Sequence, residues 1–387
     1  MSTINVTNLK HGSASTNAIT FASDGTCDVK ASNISGHKNL IINGAMNVAQ
    51  RGTSSSAEGY TCDRWQWLRN GVDEEATHAQ VAVGSSDTGP YELGFRNAFQ
   101  VTNGNQSSGA GATDYALIRY IIEAQDIANS GWNHDSATSY ITLSFWVKSS
   151  VAQNFYGTLR TIDGTDQGYP FETGSLTADT WTKITKTIPG LANGNLDFDD
   201  NNGSGMYINI WPFAGTDFTT SGVTLDAWAA HDNATRFADN TTTWWTTDNS
   251  TFAITGVQLE VGDTATTFEH RSYGDELLRC QRYYQQIAGS NDNVMVGAGR
   301  SSGTTTGLFS VPLAVPLRAS PTLSSTDWAF FTADNQTNVT ATPSIVLWDA
   351  HSPVLALQVT GLSSMTNARC LSAYSNNADT VTIDSEL

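Results

Sequence analysis

The chain has 387 residues, of which only 14% are charged, and its formal net charge is −18. No cluster of Lys and Arg interrupts this acidity, which argues against nucleic-acid binding and against attraction to an anionic membrane surface. No apolar run approaches the roughly 20 residues of a membrane span, and the polar start "MSTINVTNLKHGS" lacks the apolar core of a secretory signal peptide.

The composition predicts an all-β protein of two or three domains. Hydrophobic residues make up 39% of the chain, and Thr, Ser, Asn and Gly fill much of the remainder. Ser and Asn favour turns over helices, whereas Thr favours strands. The chain is also longer than one ordinary domain.

Residues 1–36 carry short alternating segments, "INVTNLKH", "NAITFAS" and "TCDVKAS", which Ser, Gly and Asn interrupt. Segments this short cannot bury a core by themselves. They are therefore expected to pack on the next domain or to pair with other chains, and we interpret them as an N-terminal arm.

Residues 37–270 are predicted to form one large β domain. The segment "SYITLSFWVKSS" (139–150) alternates apolar and polar residues, as a half-buried strand does. The segment "YALIRYIIEAQDI" (115–127) fits a strand or a helix. Many strand-like segments separated by turn-rich loops indicate a jelly-roll β-sandwich.

The stretch "NLIINGAMNVAQRGTSSSAEGYTCDRWQWLRN" opens this domain. The run 40–42 is expected to start its first strand, and Asn43-Gly44 to turn the chain. Trp65 and Trp67 should share one strand face because their positions differ by two. Asp63 and Arg64 are adjacent and could form a local ion pair; a sugar-binding site is the alternative interpretation of this stretch.

A short connecting helix is predicted over 271–289. Ser272 is the expected N-cap, acidic residues occupy the first turn, and Gly289 ends the helix. Leu277, Cys280, Tyr284 and Ile287 recur every three or four residues, which gives the helix one apolar face. Residues 290–387 return to strand patterns and are predicted to form a small C-terminal β-sandwich.

Several of these segments together resemble phage virion proteins. They are "NLIINGAMNVAQRG…YTCDRW", "SFWVKSS", "VQLEVGDTATTFEHRSYGDELLRCQRYY" and "VPLRASPTL". The resemblance is to tail-fibre-like appendages, especially from phages of aquatic bacteria, whose central part is similar to a carbohydrate-binding-module jelly roll. It implies location in the virion, a homotrimer, docking to other virion proteins through residues 1–36, and contact with a host surface glycan.

Sugar recognition needs flat aromatic faces beside hydrogen-bonding side chains. Trp132, Trp211, Trp244 and Trp245 lie in or beside polar segments and are the candidates for carbohydrate binding. The alternative is that each ring closes the sandwich core. If Trp244 and Trp245 lie in a strand, one ring should point inward and the other outward. The net charge favours neutral or cation-bridged glycans over anionic ones.

Oxygen-bearing side chains in "LDFDDNNGSG" could hold a structural calcium ion, namely Asp197, Asp199, Asp200 and Asn201, with the neighbouring Asn202. The EF-hand spacing is not matched, and a solvated acidic turn is the alternative. The resemblance to carbohydrate-binding jelly rolls suggests Glu260 and Asp263 as other ligands.

The sequence predicts a protein that is not an enzyme, because it contains neither of the motifs HExxH and GxxxxGK[ST]. A glycan-contacting fibre is the preferred function. A non-catalytic head or tail decoration protein is the first alternative. A polysaccharide-degrading tailspike is the second, although the chain lacks β-helix repeats.

Overall fold

In the computed structural model, the described residues are 8–9, 19–21, 27–29, 38–192, 194–287, 295–324, 328–332, 344–349, 354–362, 370–375 and 381–387. Most of the predicted arm lies outside them. What is described there is a small antiparallel sheet in the order β1-β2-β3, formed by β1 (Asn8–Leu9), β2 (Ile19–Phe21) and β3 (Cys27–Val29).

The central domain contains thirteen strands and two short helices. The strands are β4 (Ser54–Ser55), β5 (Gly59–Tyr60), β6 (Trp65–Asn70), β7 (Thr77–Ala82), β8 (Asn97–Thr102), β9 (Tyr115–Glu123), β10 (Tyr140–Ser149), β11 (Asn154–Thr161), β12 (Gln167–Ser175), β13 (Thr182–Pro189), β14 (Ser204–Ala214), β15 (Ala229–Ala230) and β16 (Thr251–Val261). The helices are α1 (Ala124–Ala128) and α2 (Thr243–Thr246).

These strands form two antiparallel sheets that pack face to face. A six-stranded sheet has the order β13-β10-β16-β8-β7-β4, and a seven-stranded sheet has the order β15-β12-β11-β14-β9-β6-β5. The fold is therefore an all-β sandwich of the jelly-roll type, and the predicted fold class is confirmed. Among the described residues, no helix has both the length and the apolar character needed to cross a bilayer.

Strand β10 illustrates how alternation builds the core. Ile141, Leu143, Phe145 and Val147 have no exposed surface and lie in the core between the sheets, while Trp146 is half-buried on the opposite face. Because successive side chains of a strand point to opposite faces, the pattern assigns the inner and outer surfaces of the sheet.

The ambiguous segment 115–127 contains both predicted elements. It is a strand up to Glu123 and then turns into helix α1. Strand β9 lies between β6 and β14 and pairs with both. These two backbone partners stabilise the extended conformation over the segment's first nine residues.

Two expectations for the stretch 39–70 are wrong, and one is confirmed. Residues 40–42 form no strand, although the Leu40 backbone N–H donates to the Leu259 carbonyl at 2.9 Å. Asp63 accepts from the Gln50 backbone N–H at 2.9 Å, and Arg64 pairs with Glu386. Trp65 and Trp67 do share the buried face of β6. The predicted ion pair between Asp63 and Arg64 is wrong, because Arg64 pairs instead with Glu386, which is more than 300 residues away in the sequence.

Helix α3 (Tyr273–Gln281) is shorter than predicted, although its start is confirmed. The Ser272 side chain accepts a hydrogen bond from the Asp275 backbone N–H at 3.2 Å, as an N-cap does. Beyond the helix, β17 (Tyr284–Ile287) pairs with the C-terminal strand β25 (Val381–Asp384). This pairing supplies the backbone with ladder partners and ends the helical pattern early.

The C-terminal region is a second β-sandwich. Its remaining strands are β18 (Met295–Ser301), β19 (Thr306–Pro312), β20 (Thr322–Ser324), β21 (Trp328–Thr332), β22 (Ser344–Asp349), β23 (Val354–Thr360) and β24 (Cys370–Ser375). A six-stranded sheet, β21-β24-β18-β19-β23-β22, faces a three-stranded sheet, β17-β25-β20. One apolar cluster that includes Phe309, Leu357 and Ile383 joins the two sheets.

Charged and apolar contacts dock this region onto the central domain. Cys280 and Tyr283, at the end of α3, pack against Val48. The Arg282 guanidinium Nη2 lies 2.8 Å from Glu123 Oε2 at the end of β9. These contacts fix α3 on the central domain. The C-terminal sandwich adds a contact of its own, because Arg51 Nη2 lies 3.1 Å from Asp384 Oδ2 of β25.

Candidate functional site

The structure places all four candidate tryptophans in apolar cores. Trp132, Trp244 and Trp245 belong to the core between the two sheets, and Trp211 packs in a separate cluster on the outer face of the seven-stranded sheet. Their exposed fractions are 3% or less. Of the two alternatives drawn from the sequence, core packing is the one seen for each, and none presents a free aromatic face.

The predicted inward-and-outward pair is wrong, because Trp244 and Trp245 lie on the single turn of α2 rather than in a strand. Successive residues of a helix are about 100° apart, so two neighbours can both face one core. The indole Nε1 of Trp245 donates to the Gly109 carbonyl at 2.9 Å, and that of Trp244 donates to the Thr251 carbonyl at 3.1 Å.

The acidic turn at 197–202 shows no ready set of calcium ligands. Asp199 accepts a hydrogen bond from the Asn201 side-chain amide at 2.9 Å. Asp200 accepts one from the Asn129 side-chain amide at 2.8 Å. Burial, followed by the charges of Asp199 and Asp197, raises the pKa of the nearby Asp163. Among the described residues, no group of three or more His, Cys, Asp or Glu side chains could hold a metal ion.

The alternative calcium ligand Glu260 is buried in a hydrogen-bonded setting. Its Oε1 accepts from the Gln258 amide and from the Thr266 backbone N–H, each at 2.8 Å. Its Oε2 accepts from the Thr266 hydroxyl at 2.6 Å. Asp263 is exposed in the bend after β16. These partners already satisfy the Glu260 carboxylate, so the geometry does not fit a calcium site there.

A row of polar side chains crosses the outer face of the seven-stranded sheet. Strand register aligns Gln66, Arg119, Asn209 and Thr158 on four neighbouring strands. Arg119 Nε donates to Asn209 Oδ1 at 3.0 Å, and Asn209 Nδ2 donates to Thr158 Oγ1 at 3.2 Å. The row is fixed by these bonds. Asn209 and Thr158 are buried, whereas Gln66 and Arg119 are half-buried on this outer face.

Three arginines gather on this face, and we call Arg119, Arg160 and Arg236 the arginine cluster. The Arg119 guanidinium lies 4.8 Å from the centre of the Tyr207 ring, and Arg236 lies 5.2 Å from that of Trp211. Arg160 is opposite Tyr207 in the strand register. Arg160 also forms the cluster's one ion pair in the described part of the chain, with Asp166.

Mutual repulsion and burial act on the cluster. The pKa of Arg236 is lowered to about 10, first by burial and then by the charges of Arg160 and Arg119. Burial also lowers the pKa of Arg119, with a further contribution from Arg160. Burial, followed by the charge of Arg160, lowers the pKa of His231. Three arginine charges thus lie close together on a protein of net charge −18, with Asp166 paired to Arg160 beside them.

A cleft of about 390 Å³ adjoins the arginine cluster, between β12 and the loop 223–236. Its lining includes Pro170, Trp228, His231, Asp232 and Arg236. Trp228 is half-buried; its Nε1 donates to the Pro189 carbonyl at 2.7 Å, which holds the ring in place. The cleft thus combines an anchored indole with a charged, planar donor.

Sequence reasoning missed this site. Trp228 lies in the loop segment "LDAWAAHD", which shows no strand period. An indole in a long polar loop was its only signal. The arginines are spread over 117 positions from Arg119 to Arg236, and only the sheet register brings Arg119 and Arg160 together.

Other surfaces are less suited to a ligand. On the outer face of the six-stranded sheet, Trp146 packs with Tyr91 and Trp181, so its ring is covered by protein. Two larger hollows, about 560 and 680 Å³, border Arg279 near helix α3. None of the lining side chains described for them is Trp, Tyr or Phe.

A scan against family models and a search of curated proteins found no match. Solved structures with some likeness include a putative sugar binding protein from Bacteroides thetaiotaomicron (12% identity, TM-score 0.31, 58% of this chain and 100% of that one). Another is the CBM22-1 xylan-binding domain from Paenibacillus barcinonensis, with 12% identity and a TM-score of 0.26 over 55% of this chain and 94% of that one. A third is the family 11 carbohydrate-binding module from Clostridium thermocellum, with 13% identity and a TM-score of 0.24 over 56% of this chain and 97% of that one. With TM-scores this low, function is inferred from the side chains of the site alone.

Proposed function

We propose that this protein is a non-catalytic glycan-binding protein whose site is the cleft beside the arginine cluster. The observation that carries the proposal is the convergence of one anchored, half-buried indole, Trp228, with Arg236 and His231 around a single cleft. A pyranose ring has an apolar face and a polar rim. An indole can cover the first, and planar donors can bind the second.

The adjoining polar row extends the proposed surface. A sugar chain leaving the cleft along the sheet would meet the half-buried Arg119, which its bond to the buried Asn209 holds in a fixed position. Such preorganised donors lose little conformational entropy on binding. This supports recognition of an oligosaccharide rather than of one sugar unit.

Trp228→Ala is expected to weaken glycan binding at least tenfold, equivalent to about 1.4 kcal/mol. The reason is loss of the apolar surface that covers one sugar face. Binding is measured by calorimetry, with an oligosaccharide first identified on a glycan array. Trp146→Ala is the matched control, because that half-buried indole lies on the other sheet. Unchanged affinity in a folded Trp228→Ala protein would rule out this cleft as the site.

The sequence resemblance supports a finer proposal, that the protein is a trimeric tail fibre or fibre-like appendage on a phage virion. Residues 1–36 would then dock it to other virion proteins, and the glycan would belong to the host surface. A head or tail decoration protein would use the same sandwich for contacts within the particle.

Deleting residues 1–36 should abolish incorporation into phage particles while the two sandwiches remain folded. The arm's segments are too short to contribute a core, and the strands β1, β2 and β3 described there span two or three residues each. Immunoblots of purified particles from a complemented deletion phage measure incorporation, and circular dichroism of the truncated protein checks folding. Truncated protein found in particles at the full-length level would contradict docking by the arm.

A further inference from the structure

We infer that the cleft binds an acidic glycan, with a carboxylate or sulfate group of the sugar seated against Arg236 and the arginine cluster. This inference rests on the proposed function and adds the chemical class of the ligand. It differs from the expectation drawn from the net charge, which favours neutral or cation-bridged glycans.

The first support is that two of the clustered arginines have no carboxylate partner within the described residues. Six other arginines of that part of the chain pair with acids, namely Arg51, Arg64, Arg69, Arg160, Arg271 and Arg282, whereas Arg96 and Arg318 donate to backbone carbonyls. Arg119 and Arg236 instead bond to the neutral amide oxygens of Asn209 and Asn233, at 3.0 and 2.8 Å. In a chain with 37 acidic and 19 basic residues, acidic partners are plentiful.

The second support is spare donor capacity at Arg236. Its Nε is buried and has no hydrogen-bond partner among the described residues. The guanidinium also lies over the rings of Trp211 and Phe218, 5.2 and 4.9 Å from their centres. A guanidinium held in this way, with unused donors, is suited to a planar or tetrahedral oxyanion, and charge-assisted bonds of this kind are roughly twice as strong as neutral ones.

The third support is that local charge outweighs net charge at contact distance. At physiological salt the screening length is about 8 Å, so distant carboxylates of the protein scarcely repel an anion already in the cleft. Arg160 and Arg119 both lie close enough for their charges to lower the pKa of Arg236, in addition to the larger effect of burial. An entering anion would relieve this repulsion between like charges.

The experiment compares three probes by calorimetry on the full chain: galacturonate tetramer, a sulfated carrageenan tetrasaccharide and neutral xylotetraose. At least one acidic probe should bind tenfold or more tightly than xylotetraose, and its affinity should fall as salt is raised. Comparing the two acidic probes distinguishes carboxylate from sulfate. Arg236→Gln and Arg119→Gln should each remove most of this preference, by about tenfold.

Arg96→Gln is the matched control. Arg96 also lies over an aromatic ring, that of Tyr91 at 4.0 Å, and donates to backbone carbonyls rather than to an acid. The Arg96→Gln protein should bind every probe with the same affinity as the unmodified protein. If Arg236→Gln fails to fold, Arg119→Gln still tests the inference, because it leaves the contacts of Arg236 with Trp211 and Phe218 in place.

The outcomes separate the two proposals. If xylotetraose binds as tightly as both acidic probes, or if both cluster variants match Arg96→Gln, the acidic-glycan inference is overturned while Trp228-dependent binding still stands. If none of these probes and no array glycan binds, the proposed function fails as well.

Discussion

Replacing Trp244 or Trp245 with alanine is expected to destabilise the protein by roughly 3 to 5 kcal/mol in each case. The two rings are 0% and 1% exposed, so each truncation leaves a cavity in the core between the sheets. The Trp245 ring packs on Phe213 at a centroid distance of 4.9 Å. Truncation would also leave the Gly109 carbonyl without its indole donor.

Urea unfolding followed by circular dichroism measures this effect. Thr243→Ala is the control, because Thr243 is exposed on the same short helix and should change stability by only about 0.5 kcal/mol. If one tryptophan variant behaved like Thr243→Ala, that ring would be dispensable and the helical placement of both indoles in the core would be wrong.

Arg64→Met is the second change with a large expected effect, a loss of about 3 to 5 kcal/mol. Arg64 is buried; its Nη1 pairs with Glu386 near the C-terminus, and its Nη2 donates to the Ile121 carbonyl at 2.6 Å. The guanidinium also lies 3.4 Å from the centre of the Tyr283 ring. Removing it would leave the Glu386 carboxylate at 7% exposure, with only Arg51 nearby at 3.4 Å.

A double-mutant cycle separates the pair from the packing. Arg64→Met combined with Glu386→Leu should be less destabilised than the sum of the single changes, because no uncompensated charge is then buried. Arg69→Met is the matched control, since Arg69 pairs with Glu75 at the surface, where such pairs contribute about 0 to 1 kcal/mol. Equal urea midpoints for Arg64→Met and Arg69→Met would show that the buried pair does not hold the domains together.

The net charge of the whole chain does not describe the charges around one cleft. A value of −18 describes the whole chain, whereas a ligand meets only the groups within a screening length. The sequence separates Arg119 from Arg160 and Arg236 by dozens of residues, and no motif links them. Their proximity arises from strand pairing, which aligns Arg119 with Asn209 and Arg160 with Tyr207.

The sequence alone determined those features that depend on near neighbours. The alternation in β10 and the spacing of Trp65 and Trp67 predicted strands with one buried face, because strand geometry repeats every two residues. The capping position of Ser272 predicted the start of α3 in the same local way. The all-β fold class follows from many such segments.

Only the tertiary structure decided the features that depend on distant partners. It ended α3 at Gln281 by pairing β17 with the last strand, and it gave Arg64 a partner near the C-terminus. It also turned the indoles of α2 inward and left Trp228 at a cleft. Burial and ion pairing depend on which strands lie side by side, and local spacing does not encode that.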